Sequence, residues 1–410
     1  MNLLIITTLY PNKTKQTIVD TSYAVHQYAQ KWLSMGVEIK VIRVSKKYPK
    51  IFNFFDKGKD AFSYEDNETF YLDGVEVLRN CVRKYPKIAY LKKDKIKAAG
   101  KIITRLENEY KPDAVLCHLT NASLEIGVQV KKYFDVPLIL TLHSTDVVNF
   151  KDRGYRLKEY KRLKNEVDLL GFRSDKVKNM YVETLGSQDP LLKRSFIAPS
   201  GVDQNEVVSV KDVEMKAQRT PGTIFIASKL VPLKNIDVLI AAFNQIPEEY
   251  NLRLLIAGDG PERGRLEKIA RDSIGKERIE FLGLLPREQV LRTMKDSEIF
   301  AMISAPETYG LVYLEAMAKG CITIGSRGEG IDGVIKDGEN GFLVEPKNVK
   351  ELTEKLMQSL QLSFEEREAL TKNGRETATE LSSDATAGNY LDQIEAAVER
   401  YKRGSRKNEE

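Results

Sequence analysis

An α/β protein of two doubly wound domains is predicted by three features of this chain. It has 410 residues, short β-branched apolar runs alternate with segments of helical apolar spacing, and that alternation breaks once near the middle. A chain this long exceeds one ordinary core and suits two domains of about 200 residues each.

The first half opens with the apolar run Asn2–Thr7, followed by a helix in which Val25, Tyr28, Ala29, Trp32 and Leu33 share a face at 3.6-residue spacing. Gly36 ends that helix, and 37–44 returns as a β-branched strand. Strand, helix and strand make one parallel unit whose sheet is covered on both faces. Further strands are expected near 114–118, 137–142 and 168–172, whereas 46–71 shows no regular period. After Pro199-Ser200-Gly201-Val202-Asp203, the polar stretch to Pro221 reads as the connection between domains.

A second series follows, with strands near 223–227, 253–257, 279–282, 299–303 and 321–325. The chain is helical from Lys347, with Leu391, Ile394, Ala397 and Val398 on one stripe. Residues 403–410 read as a frayed tail. Two such halves invite a cleft between them, because ligands of open parallel sheets lie beyond the carboxyl ends of the strands.

Composition narrows the function. A net charge of +5 with 30% charged residues is far short of a nucleic-acid-binding profile. Cys81, Cys117 and Cys321 are scattered and lack metal-ligand spacing, which favours a reducing, cytoplasmic setting and no metal. Residues 1–10 lack the basic start and the length of a signal peptide. No run approaches the roughly 20 apolar residues that span a bilayer.

The richest stretch is 306–320, PETYGLVYLEAMAKG. Glu307 and Glu315 stand eight residues apart around Gly310, which opens an apolar helix expected to start near Tyr309. The unpaired N–H groups of Gly310, Leu311 and Val312 would point from its N-terminus, where hydrogen bonds and the helix dipole stabilise a diphosphate. Glu307 would lie by the sugar of such a ligand, and Glu315 could accept both hydroxyls of a ribose. The bland alternative is two solvated glutamates flanking an ordinary helix.

The flanks weigh against the bland alternative. Ser304-Ala305-Pro306, Gly310-Leu311, Glu315-Ala316-Met317-Ala318-Lys319-Gly320 and the turn and strand at 337–344 resemble the donor-site signature of retaining, nucleotide-sugar-dependent glycosyltransferases of the GT-B fold, the E-x7-E type of glycosyl transferases group 1. The resemblance implies two Rossmann-like domains facing an interdomain cleft. Residues 1–203, with a last helix (386–403) crossing back onto them, would bind the acceptor, and 204–385 the donor.

Further residues follow from the resemblance. Lys229 and Lys234, in the first strand-to-helix loop of the second domain, would offset charge on the leaving nucleotide, a task usually shared by an arginine and a lysine. Their alternative is two solvated lysines. His143, after the strand at 138–142, would touch the donor sugar, with Asp146 beside it, although a lone histidine is often structural. His26 and His118 gain no such support. Gly258 and Gly260 resemble the family's turn near the nucleotide base, and a simple loop is the alternative. Gly328-Glu329-Gly330-Ile331-Asp332-Gly333 matches a dinucleotide fingerprint in form only, since turns at 336–341 leave no room for its crossover helix, and a loop near the donor fits better. Unlike related enzymes, the chain has no glycine at 11–18.

The expected reaction is transfer of a sugar, with retention, from a nucleoside-diphosphate sugar to a hydroxyl acceptor, as in glycan, polysaccharide or glycolipid synthesis. A UDP-sugar is preferred to a GDP-sugar as donor, with no other cofactor. The acceptor is a saccharide, lipid-linked or protein-linked hydroxyl. A nucleotide-sugar epimerase or hydrolase, or a non-catalytic nucleotide-binding partner of another transferase, are the competing readings. The basic stretch 83–105, with Ile96, Ala99, Ile102 and Ile103 on one face, reads first as a solvated helix packed on its own domain. Peripheral contact with the inner face of a membrane is its alternative.

Overall fold

The computed structural model describes residues 1–12, 23–49, 66–85 and 90–406. Most of the glycine-free loop 11–18, Lys87 of the basic stretch and the last four residues lie outside the described residues. Two compact units emerge, one of Met1–Ala198 with Thr386–Glu410 and one of Pro199–Ala385. Residues 199–203 thus group with the second unit, where Val202 N–H donates to Leu381 O and Val202 O accepts from Ser383 N–H.

The first unit is built on an eight-stranded sheet. Its strands are β1 (Asn2–Thr7), β2 (Glu38–Lys47), β3 (Thr69–Leu72), β4 (Val75–Arg83), β5 (Ala114–His118), β6 (Leu138–Leu142), β7 (Leu169–Phe172) and β8 (Ser195–Ile197). They lie in the order β3-β4-β2-β1-β5-β6-β7-β8, parallel except for the β3–β4 hairpin. Strands β5, β6 and β7 are buried along their whole length, as expected when helices cover both faces.

Trp32 of the helix Ala24–Ser34 stacks on Tyr28, and its indole N–H donates to Ala387 O of the last helix at 2.8 Å. Ile394, Ala397 and Val398 of that helix are buried in the same core. Leu33 is a correction: the buried face is 25, 28, 29 and 32, and residue 33, one step further round, is exposed.

The second unit carries β9 (Thr223–Ala227), β10 (Arg253–Ala257), β11 (Ile279–Gly283), β12 (Ile299–Ala301), β13 (Ile322–Ser326) and β14 (Phe342–Val344). The order β11-β10-β9-β12-β13-β14 is parallel throughout. From β9 the chain winds outward to β11, then returns to place β12 on the other side. The topological switch point therefore lies between β9 and β12, where ligands of such sheets bind.

Three other expectations are corrected. The polar stretch read as a connection contains the helix Val210–Ala217, opened by a capping box in which Ser209 and Asp212 exchange hydrogen bonds. Its Lys216 is buried because Nζ donates to the carbonyls of Met294 and Lys319. Ile96 of the helix Lys92–Leu106 faces solvent, while Ala98, Ala99, Ile102 and Leu106 form the buried face. The last helix, Ser383–Arg406, continues past 403 instead of fraying there.

Candidate functional site

Two loops meet at the switch point of the second unit. One follows β9 and carries Ser228, Lys229 and Lys234; the other follows β12 and carries Ser304 to Gly310. Asn235, left-handed at φ 49°, turns the first loop into the helix Ile236–Phe243, and its side-chain amide donates to Ile303 O at 2.7 Å. Ala305 N–H donates to Leu233 O at 2.8 Å, which fixes the loops against each other.

Glu307 is held on both carboxylate oxygens. Oε2 lies 2.6 Å from Lys234 Nζ and accepts from Ser304 Oγ at 3.0 Å, while Oε1 accepts from Thr308 N–H at 3.1 Å. Each bond restricts a rotamer that would otherwise be free. The loop at 328–330 adds a latch: Glu329 accepts from Glu307 N–H at 2.5 Å, and Gly330 N–H donates to Glu307 O at 3.2 Å. A Cβ on Gly330 would lie 2.1 Å from Thr308 O, so only glycine fits there.

The helix following this loop is Leu311–Ala318, capped by Gly310 at φ 80° and ψ 64°. It begins two residues later than Tyr309 because this left-handed turn must come first. Among the described residues, the N–H groups of Gly310, Leu311 and Val312 have no hydrogen-bond acceptor. Such a helix end is suited to an anion. Glu315, one turn in, is buried, and its Oε1 accepts from Arg287 Nη1 at 2.5 Å.

Lys229 is exposed, with no side-chain partner among the described residues. Its neighbour Ser228 has a buried hydroxyl without a hydrogen-bond partner. Gly258 and Gly260 bring the loop after β10 against this one. A Cβ on Gly258, at φ 132°, would lie 1.8 Å from Ser228 O, and one on Gly260 2.3 Å from Leu230 O. Both glycines shape the Lys229 loop directly.

His143 belongs to the first unit, where it precedes the helix Ser144–Asp152. Its Nε2 lies 3.3 Å from Nδ1 of His118, the last residue of β5. Burial, then the Arg173 guanidinium, hold its pKa down at about 3. His118 is pushed the same way, by burial, His143 and Arg173. Both shifts favour the neutral imidazole. Asp146 is committed to the backbone, accepting from Thr120 N–H at 2.8 Å and His143 N–H at 3.0 Å. His26 bonds Tyr10 and Asp73, a structural role.

Sequence reasoning missed Arg287 and the His118–His143 contact, and it placed Ser304 in the signature without the hydrogen bond that it gives Glu307. Arg287 has no positional signal, and the histidines are 25 residues apart. The three cysteines are free and buried. Among the described residues no group of three or more His, Cys, Asp or Glu side chains is placed to hold a metal, and no helix is long and apolar enough to cross a membrane.

Residues 210–377 match the glycosyl transferases group 1 family. An uncharacterized glycosyltransferase of Methanocaldococcus jannaschii is 27% identical over 323 residues, 78% of this chain and 84% of that protein. Alpha-monoglucosyldiacylglycerol synthase of Acholeplasma laidlawii is 23% identical, covering 69% of this chain and 73% of its own length. Among solved structures, Anabaena HepE in complex with UDP superposes with a TM-score of 0.70 at 17% identity over 97% of this chain and 100% of that one. The fold of the chain is that of the GT-B glycosyltransferases.

Proposed function

With a glycosyl transferases group 1 domain in residues 210–377, we propose that the chain is a retaining glycosyltransferase that moves a sugar from a nucleoside-diphosphate sugar, UDP-linked in the preferred case, to a hydroxyl acceptor. The carrying observation is the convergence of Lys234, Glu307 and the Gly310 helix end at the switch point of the second sheet.

In this reading the amides of Gly310, Leu311 and Val312 hold the diphosphate, with Lys229 and Lys234 balancing its charge. Lys234 already sits on Glu307, so one cation serves both the phosphate and the carboxylate that orients the donor sugar. Glu315, held by Arg287 on one oxygen, offers the other to the ribose hydroxyls. Gly258 and Gly260 support the loop that carries Lys229, close to where the base would lie. His143 contributes a neutral imidazole that can hydrogen-bond a sugar hydroxyl without adding charge.

The acceptor oxygen bonds to the anomeric carbon on the face that the nucleotide leaves, while the bond from that carbon to the phosphate oxygen breaks. The electron pair goes to the phosphate, and an oxygen of the departing phosphate takes the acceptor proton. Electrostatic stabilisation of that phosphate lowers the barrier. UDP and a glycoside of unchanged anomeric configuration are the products.

The test combines a UDP-release assay over a panel of sugar donors with proton NMR of the glycoside. Acceptor-dependent release with retained configuration is expected. Donor breakdown without acceptor, or an inverted product, refutes the assignment.

A further inference from the structure

A cavity of about 480 Å³ in the first unit lies outside everything described so far. Lys47 ends β2 and Arg83 ends β4, and the two are direct partners in the parallel ladder. Lys97 comes from the helix Lys92–Leu106 that follows, so the cavity opens at the carboxyl edge of the sheet, where ligands of such sheets bind. Its volume falls within the roughly 300–1,000 Å³ of small-molecule sites.

The charges are unbalanced. Lys101 pairs with Asp66 at 2.5 Å, and the other oxygen of Asp66 accepts Cys81 N–H at 2.8 Å, so that pair is satisfied internally. Arg83 and Lys97 form no ion pair among the described residues, and Lys47, close enough to help hold the Asp66 carboxyl low, forms none either. Two carboxylates line the cavity with them: Asp66, already engaged, and Asp94, whose Oδ2 is buried with no hydrogen-bond partner. Unpaired cations call for an anion; a buried, unsatisfied carboxylate oxygen calls for a hydroxyl donor. A bare polyanion meets the first demand and is repelled by the second.

We propose that this cavity binds a phosphorylated polyol as the acceptor, with its phosphate on Lys47, Arg83 and Lys97 and one hydroxyl donating to Asp94. The inference rests on the glycosyltransferase reading and narrows its acceptor class. A soluble sugar phosphate and a lipid headgroup share this chemistry.

Calorimetry on the full chain separates the cases. Glucose 6-phosphate, glucose, inorganic phosphate and vesicles of phosphatidylglycerol in phosphatidylcholine are titrated into wild type, the double variant Arg83→Gln/Lys97→Gln and Asp94→Asn, with UDP titrated in parallel. Glucose 6-phosphate or the vesicles are expected to bind wild type and to lose roughly tenfold or more in affinity in the double variant, while UDP affinity stays unchanged. Asp94→Asn weakens the phosphorylated polyol and leaves inorganic phosphate unaffected. Binding of the soluble compound identifies a sugar phosphate, and binding of vesicles alone identifies a headgroup. Should the double variant melt early, Lys47→Gln, at a strand end, replaces it. Equal affinity in wild type and variants, or glucose binding as tightly as its phosphate, overturns the proposal. Absence of UDP binding in every protein refutes the donor reading instead.

Discussion

Lys234 Nζ lies 2.6 Å from Glu307 Oε2, although 73 residues separate the two in the chain. They meet because β9 and β12 are neighbours in the sheet while the chain visits β10 and β11 in between. The doubly wound order turns two unrelated loops into one charged site.

Replacing Lys234 by Met removes that cation and leaves a half-buried carboxylate facing the proposed diphosphate site. Loss of a single charge-stabilising donor typically costs about 10²–10³-fold in rate. A fall in kcat/KM of that size is expected, with Lys234→Arg partly active and the melting temperature little changed. Steady-state UDP release, with thermal melts of each variant, checks this.

Glu315→Gln keeps the shape of the proposed ribose acceptor but weakens it, because a charge-assisted hydrogen bond is roughly twice as strong as a neutral one. UDP affinity should drop about tenfold, equivalent to about 1.4 kcal/mol. Arg287→Ala should weaken UDP binding less, and adding it to Glu315→Gln should cost little more, since Arg287 acts through the Glu315 carboxylate. Calorimetry on the four proteins of the cycle measures the coupling.

Gly258→Ala tests the loop contact. Its Cβ would lie 1.8 Å from Ser228 O on a backbone at φ 132°. Overpacking together with a left-handed strain gives an expected loss of about 2–4 kcal/mol. Urea unfolding reads this, and Gly264→Ala, which meets open space, serves as a control with little or no loss.

The first unit was legible where strands are apolar and buried, as in β1, β5 and β6, because parallel strands covered on both faces read as short apolar runs. The β3–β4 hairpin was not, since β3 has four residues with Tyr71 exposed. Its turn carried a usable signal in Asp73-Gly74, both at positive φ, the pattern of a two-residue hairpin. In the candidate site, Glu307, Gly310 and Glu315 are local in sequence and stood out together. Arg287 and the His118–His143 contact depend on which elements the fold brings side by side, and nothing in local spacing encodes that.

The histidine pair predicts acid sensitivity. His143 binds a proton in the unfolded chain near pH 6.5 but not in the folded protein until about pH 3. Its stabilising contribution is present in full above pH 6.5 and is lost as pH falls from there toward 3, because the unfolded state then binds more protons. Between pH 7 and 5 the loss is about 1–2 kcal/mol. Urea unfolding at the two pH values should show a smaller drop for His143→Gln than for wild type.

The most direct measurement is a crystal structure of the protein with UDP. The expected result has the diphosphate within hydrogen-bond distance of the Leu311 and Val312 amides and of Lys234, with the ribose hydroxyls on Glu315. UDP bound elsewhere, or a diphosphate that leaves the Gly310 helix end and Lys234 untouched, contradicts the assignment.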